Sequence, residues 1–152
     1  MQLSDFDASS NLVALFLSRA DELGDKPMLW ARRDGAWQSL SWTEAARRVC
    51  LIAQSLRALG LGDGERVLLV SENRPEWCLA DLAIMAAGCV TVPAYTTNTE
   101  RDHLHVLENS GARAVTCAWP SAFNAGIIAS SADPCSTLIT SPGANSTGRA
   151  SA

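Results

Sequence analysis

The chain has 152 residues, 47% of them apolar and 18% charged, with 12 basic against 16 acidic side chains. That length allows one modest core and excludes a large two-domain enzyme within this chain. The net charge of −4 offers no basic footprint, which excludes nucleic acid and anionic membrane surfaces as expected partners.

Five cysteines, Cys50, Cys78, Cys89, Cys117 and Cys135, lack CxxC spacing. They read as reduced thiols of a cytoplasmic protein, not as a disulfide framework. The opening Met-Gln-Leu-Ser-Asp-Phe-Asp has no basic n-region and no apolar h-region, so no secretory signal is expected. The longest apolar segment, Trp77 to Ala87, contains Asp81 and falls short of the about 20 residues that span a bilayer.

In chain order, Asn11 to Leu23 is expected to be helical, with Leu12, Phe16, Ala20 and Leu23 on one face and Gly24 as its stop. Met28–Arg33 and Ala36–Leu40 flank Asp34-Gly35, a strong hairpin signal. Ser41-Trp-Thr-Glu44 is a capping box opening a long helix whose apolar positions keep helical spacing from Trp42 to Leu59, before Gly60. The β-branched and apolar run Val67–Val70 then breaks into a polar turn. There Asn73 is the expected N-cap, Pro75 lies in the first turn and Glu76 closes a capping box. Helix Pro75–Ala87, strand Cys89–Val92, helix Glu100–Asn109 and strand Ala112–Thr116 follow, with Gly88 and Gly111 at the helix stops. Strands alternating with helices imply right-handed crossovers and a parallel sheet. Helix Pro75–Ala87 is apolar nearly all round and is expected to be covered on more than one side.

Composition changes near residue 116. From Cys117 to Ala152 only Asp133 and Arg149 are charged, and Ala, Ser, Thr, Gly and Pro dominate. Phe123–Ala129 and Leu138-Ile139 are short apolar islands. The stretch cannot offset an ordering entropy of roughly 1–2 kcal/mol per residue. The expected organisation is therefore an ordered part, residues 1–116, and a disordered tail, residues 117–152.

Few positions suggest chemistry. Gly60-Leu-Gly62-Asp-Gly64 follows a helix and precedes a strand, the reverse of a dinucleotide fingerprint, and reads as a turn. Ser141-Pro-Gly-Ala-Asn-Ser-Thr-Gly148 has no lysine after it; the chain's one lysine is Lys26. It reads as coincidence rather than as a phosphate loop. His103 and His105 lie two apart on a helix, on different faces, and cannot share a metal. Arg74 and Glu76, at the carboxyl end of a strand, are the best functional candidates by position, with capping as the competing account. Thr97/Glu100 and Thr99/Asp102 are staggered capping boxes. No residue is assigned a catalytic, cofactor-binding or metal-binding role.

Three blocks in this order and spacing carry a family resemblance: Ser41-Trp-Thr-Glu44; Leu61-Gly-Asp-Gly-Glu-Arg-Val67 with Ser71-Glu-Asn-Arg-Pro-Glu-Trp77; and Gly88-Cys-Val-Thr-Val-Pro-Ala-Tyr95 with Glu108-Asn-Ser-Gly-Ala-Arg-Ala-Val115. Together they resemble the N-terminal part of the AMP-binding, adenylate-forming acyl-CoA synthetases and ligases. Ser71–Trp77 and Tyr95–Thr99 lean toward the long-chain fatty acid branch.

The resemblance implies an α/β fold, a partial parallel sheet with crossover helices from the N-terminal part of that family's large domain. It also implies an ATP-dependent ligase in which a carboxylate is adenylated, pyrophosphate leaves and coenzyme A captures the acyl group. Fatty acid, ATP with magnesium, and coenzyme A are the partners so implied for the whole enzyme. The family's phosphate-loop lysine, magnesium-binding acid, ribose-binding aspartate and adenylation lysine have no counterpart in the matched blocks. No cofactor is therefore expected to bind this fragment, and the reading is a truncated, inactive synthetase. The alternative is a non-catalytic α/β module whose open sheet edge and apolar helix are covered by a complementary chain. The resemblance is expected to end near Val115, and out-of-frame translation of a GC-rich gene is the expected origin of the tail.

Overall fold

The Asn11 side chain accepts a hydrogen bond from the Ala14 N–H at 2.9 Å and so starts α1, Leu12–Leu23. In the computed structural model, residues 10–118, 125–129 and 138–139 are described. Phe16 and Ala20 bury as the periodicity predicts, whereas Leu12 stays 56% exposed at the helix start. Strands β1, Pro27–Arg33, and β2, Ala36–Ser41, pair antiparallel around Asp34-Gly35. Asp34 and Gly35 both have positive φ, 51° and 80°, the requirement of a two-residue turn that matches strand twist.

Helix α2, Trp42–Ala58, begins with Ser41 Oγ accepting from the Glu44 N–H at 3.2 Å. Only this half of the expected capping box forms. The Glu44 carboxylate instead accepts from Arg47 and Arg48, at 2.7 Å each. Those bonds, Arg47's first and then Arg48's, hold the Glu44 carboxyl down to about 2. Ser41→Ala is expected to cost about 1 kcal/mol by orphaning a first-turn N–H, a loss readable as a lower urea midpoint with an unchanged m-value. The α2 residues Ala45, Val49, Ala53 and Leu56 are buried, spaced by the helical period along one stripe.

The main sheet follows the order β4-β3-β5-β6-β7. Its centre is β3, Arg66–Val70, parallel to β4, Val90–Ala94, on one side and to β5, Ala114–Ala118, on the other. Between them lie α3, Pro75–Ala86, and α4, Glu100–Ser110. Since β4 and β5 flank β3 on opposite sides, right-handed crossovers put α3 and α4 on opposite faces. Val67 and Leu69 pack into the main core with α2 and α3. Leu68, 1% exposed, lies outside that cluster, on the alternate face of the strand.

Every residue of α3 is buried or half-buried, as its all-round apolarity requires. Its cover comes from this chain: α2, the strands and the β1–β2 hairpin. The expectation that this helix is covered on more than one side is met within the chain, among the described residues. The sheet edges are also less open than expected. On the far side of β5, the apolar islands form β6, Ala125–Ala129, and β7, Leu138–Ile139, both antiparallel. These two segments depart from a tail without secondary structure; the rest of the tail lies outside the described residues. Pairing satisfies backbone groups that β5 would otherwise present unpaired, and Ile127 and Ile128 are residue types that favour strands.

At the other edge, the Val90 N–H bonds inward to Glu65 O at 2.8 Å. Backbone groups alternate sides, so residues 91 and 93 face outward. Pro93 can occupy its place because no inward donor is required there. Its missing N–H also blunts the edge against further pairing.

Candidate functional site

The carboxyl end of β3 delivers the chain through residues 71–74 into α3, the position where open α/β sheets carry ligands. Asn73 is the expected N-cap from spacing; the structure has Arg74 there, with Pro75 at the first helical position and no side-chain cap. Proline's fixed φ suits that first position, and this sets the cap one residue later than Asn73. Glu76 is consequently released from capping.

Its carboxylate joins two arginines. Oε1 accepts from Arg33 at the end of β1, and Oε2 accepts from Arg74 Nε at 3.0 Å. The Glu76 side chain is only 19% exposed. Burial pushes its carboxyl up, but bonds from its own backbone N–H and from Arg74, with the Arg74 and Arg33 charges, outweigh burial and hold it below the usual range. The seam thus clamps the hairpin to the start of α3 through one carboxylate and two guanidinium groups. Arg74 and Glu76 are visible from their place after a strand, whereas Arg33, 43 residues before Glu76, is not. The missed signal is local: the Asp34-Gly35 turn fixes Arg33 at a strand end.

Two hollows flank the seam. One, about 90 Å³, lies beneath the hairpin between Leu29, Leu40 and Leu79, with Arg48 and Glu76 on its wall. The other, about 330 Å³, opens outward between the hairpin and residues 73–76. Trp30 and Trp37, Arg32 and Arg33, and Arg74 contribute to it. Trp30 pairs with Ser39 and Trp37 with Arg32 across the strands, which puts both indoles on one face of the hairpin. They are 55% and 67% exposed.

The other candidates are structural. Thr99 and Asp102 make the reciprocal capping box of α4. His103 is half-buried and His105 exposed, and among the described residues no group of three or more His, Cys, Asp or Glu side chains is gathered for a metal. Gly60-Leu-Gly62-Asp-Gly64 is a turn in which Glu65 accepts from the Gly62 N–H at 2.7 Å. Ser141–Gly148 lies outside the described residues. No helix among the described residues is long and apolar enough to cross a membrane.

Residues 16–148 match the family model of the AMP-binding enzymes. The chain belongs to the AMP-binding enzyme family. The match runs past Val115, where the resemblance was expected to end, and takes in the tail segment up to Gly148. The chain is 40% identical over 79 residues to the long-chain-fatty-acid–CoA ligase FadD15 of Mycobacterium tuberculosis, covering 52% of this chain and 13% of that protein. It is 34% identical over 103 residues to the human mitochondrial acyl-coenzyme A synthetase ACSM5, covering 64% and 18%.

Among solved structures, the N-terminal subdomain of Klebsiella oxytoca NpsA superposes with a TM-score of 0.65 at 25% identity, over 74% of this chain and 28% of that one. The fatty acid AMP ligase of Legionella pneumophila shares the fold, with a TM-score of 0.69 over 77% of this chain and 21% of that one. The chain spans between 13% and 28% of the length of these relatives.

Proposed function

We propose that this chain forms the N-terminal scaffold of an AMP-dependent fatty acid–CoA ligase of the long-chain branch. A complete enzyme of that kind activates a fatty acid with ATP and magnesium, releases pyrophosphate and transfers the acyl group to coenzyme A. The observation that carries this reading is the 40% identity to a long-chain ligase over 79 residues, beside a family match of residues 16–148. The described residues supply a parallel sheet and its packing helices. Lys26, the one lysine, lies between α1 and β1, far in sequence from the strand ends at which ligands bind. On this reading the chain alone lacks the family's phosphate-loop lysine, since Lys26 is its one lysine, and does not adenylate a fatty acid.

A chimera tests the scaffold role. Residues 1–118, through the end of β5, joined ahead of the remainder of the M. tuberculosis ligase should fold and support palmitate-dependent ATP–pyrophosphate exchange, with little exchange on acetate. A soluble, folded chimera without palmitate-dependent exchange overturns the assignment.

A further inference from the structure

The outward cleft beside the Glu76 seam has a chemistry that the scaffold role does not use. Within an acidic protein of net charge −4, its wall gathers Arg32, Arg33 and Arg74 against the lone carboxylate of Glu76. Two of these guanidinium groups are anchored by their inner nitrogen. Arg74 Nε bonds Glu76 at 3.0 Å, and Arg32 Nε bonds Gly35 O at 3.4 Å. Those bonds use only the Nε–H of each group, which leaves the guanidinium's other N–H groups as the type of donor that takes carboxylate or phosphate oxygens. Beside them stand Trp30 and Trp37, more than half exposed on one face of the hairpin. Tryptophan offers a large flat apolar surface with one polar N–H, and with arginine it is enriched where binding energy concentrates.

We infer that the cleft between the β1–β2 hairpin and the start of α3 binds a small aromatic anion, its ring on Trp30 and Trp37 and its carboxylate or phosphate on Arg32 and Arg74. Its size decides between a small ligand and a protein segment. A hollow of about 330 Å³ suits a molecule of one or two rings, at the lower end of ordinary ligand sites. A stable protein interface needs roughly 1,000 Å² of buried surface, more than a cleft of this size offers. The inference does not rest on the ligase reading, because none of these side chains belongs to an assigned adenylation site.

Calorimetric titration of the full chain with AMP, 1-naphthoate and uncharged adenosine tests it. AMP or 1-naphthoate, or both in competition, should bind saturably, and adenosine should bind about tenfold more weakly than AMP, since only charge separates them. Binding by one anion alone assigns the ligand's charged group as phosphate or carboxylate. Arg32→Gln, an exposed change, should weaken binding about tenfold without moving the melting temperature. Trp37→Leu should weaken both anions alike. Absence of saturable binding by either anion, adenosine matching AMP, or AMP binding unchanged by Arg32→Gln would overturn the inference. The last outcome would place the nucleotide elsewhere and leave the ligase reading standing.

Discussion

Leu69→Ala is expected to destabilise the chain by about 3 kcal/mol, within the range for emptying a well-packed leucine site. Leu69 lies at the middle of the central strand, 1% exposed, and belongs to the cluster that joins β3 to α2 and α3. Its register partners, Pro93 on β4 and Thr116 on β5, lie on the paired neighbours of an already assembled sheet. The backbone there is held from both sides and cannot close over the void. Domains of this size have about 5–15 kcal/mol in total, so the loss is a large fraction of what exists. Urea unfolding followed by far-UV circular dichroism reads it directly. A midpoint within error of the parent would show that Leu69 is not in the core described here.

Glu76→Gln has the second largest expected effect, about 2 kcal/mol, because it leaves Arg33 and Arg74 facing each other across a half-buried seam. The pH dependence identifies the cause. The folded-state carboxyl of Glu76 lies below its ordinary value of 4.5. A carboxylate depressed by folding contributes stability that is present above the unfolded value and is lost as pH falls through the folded one. The parent should therefore lose stability from near pH 5 downward. Glu44, Glu65 and Asp102 are depressed too, so acid sensitivity persists in the variant. The gap between parent and variant is the contribution of Glu76, and it should narrow as pH falls. A gap independent of pH between about 6 and 3 would mean that the seam is held by shape and not by charge.

Much of the architecture was legible because its signals are local. Asp34-Gly35 announces the hairpin through the positive φ that both residues adopt, and Ser41 announces α2 through a cap that forms. The glycines at 60, 88 and 111 mark helix stops through their own positive φ. The strands between them alternate with helices, and that alternation was enough to expect a parallel sheet. What was misread depended on competition between partners. By spacing alone, Glu76 and Glu44 fit capping boxes with Asn73 and Ser41. In the fold each is taken by arginines, one of them from a strand far away in sequence.

The β6 and β7 strands and the family match out to residue 148 were missed for another reason. The tail's apolar islands are too short to declare themselves as strands without a neighbouring edge. Its scarcity of charge also erased the block pattern by which the earlier part was matched. The site shows the same division. Arg74 and Glu76 were visible from their place after a strand, while Arg33 and the two hairpin tryptophans join them only once the chain folds back. No local pattern records that meeting.

The proposed role is that of a scaffold that folds around β3 and does not by itself adenylate a fatty acid. The most direct measurement is fatty-acid-dependent exchange of labelled pyrophosphate into ATP by the purified chain, with palmitate and magnesium present. The account predicts no incorporation above a no-enzyme blank from a folded, cooperatively melting sample. Palmitate-dependent labelling of ATP by that same sample would contradict it.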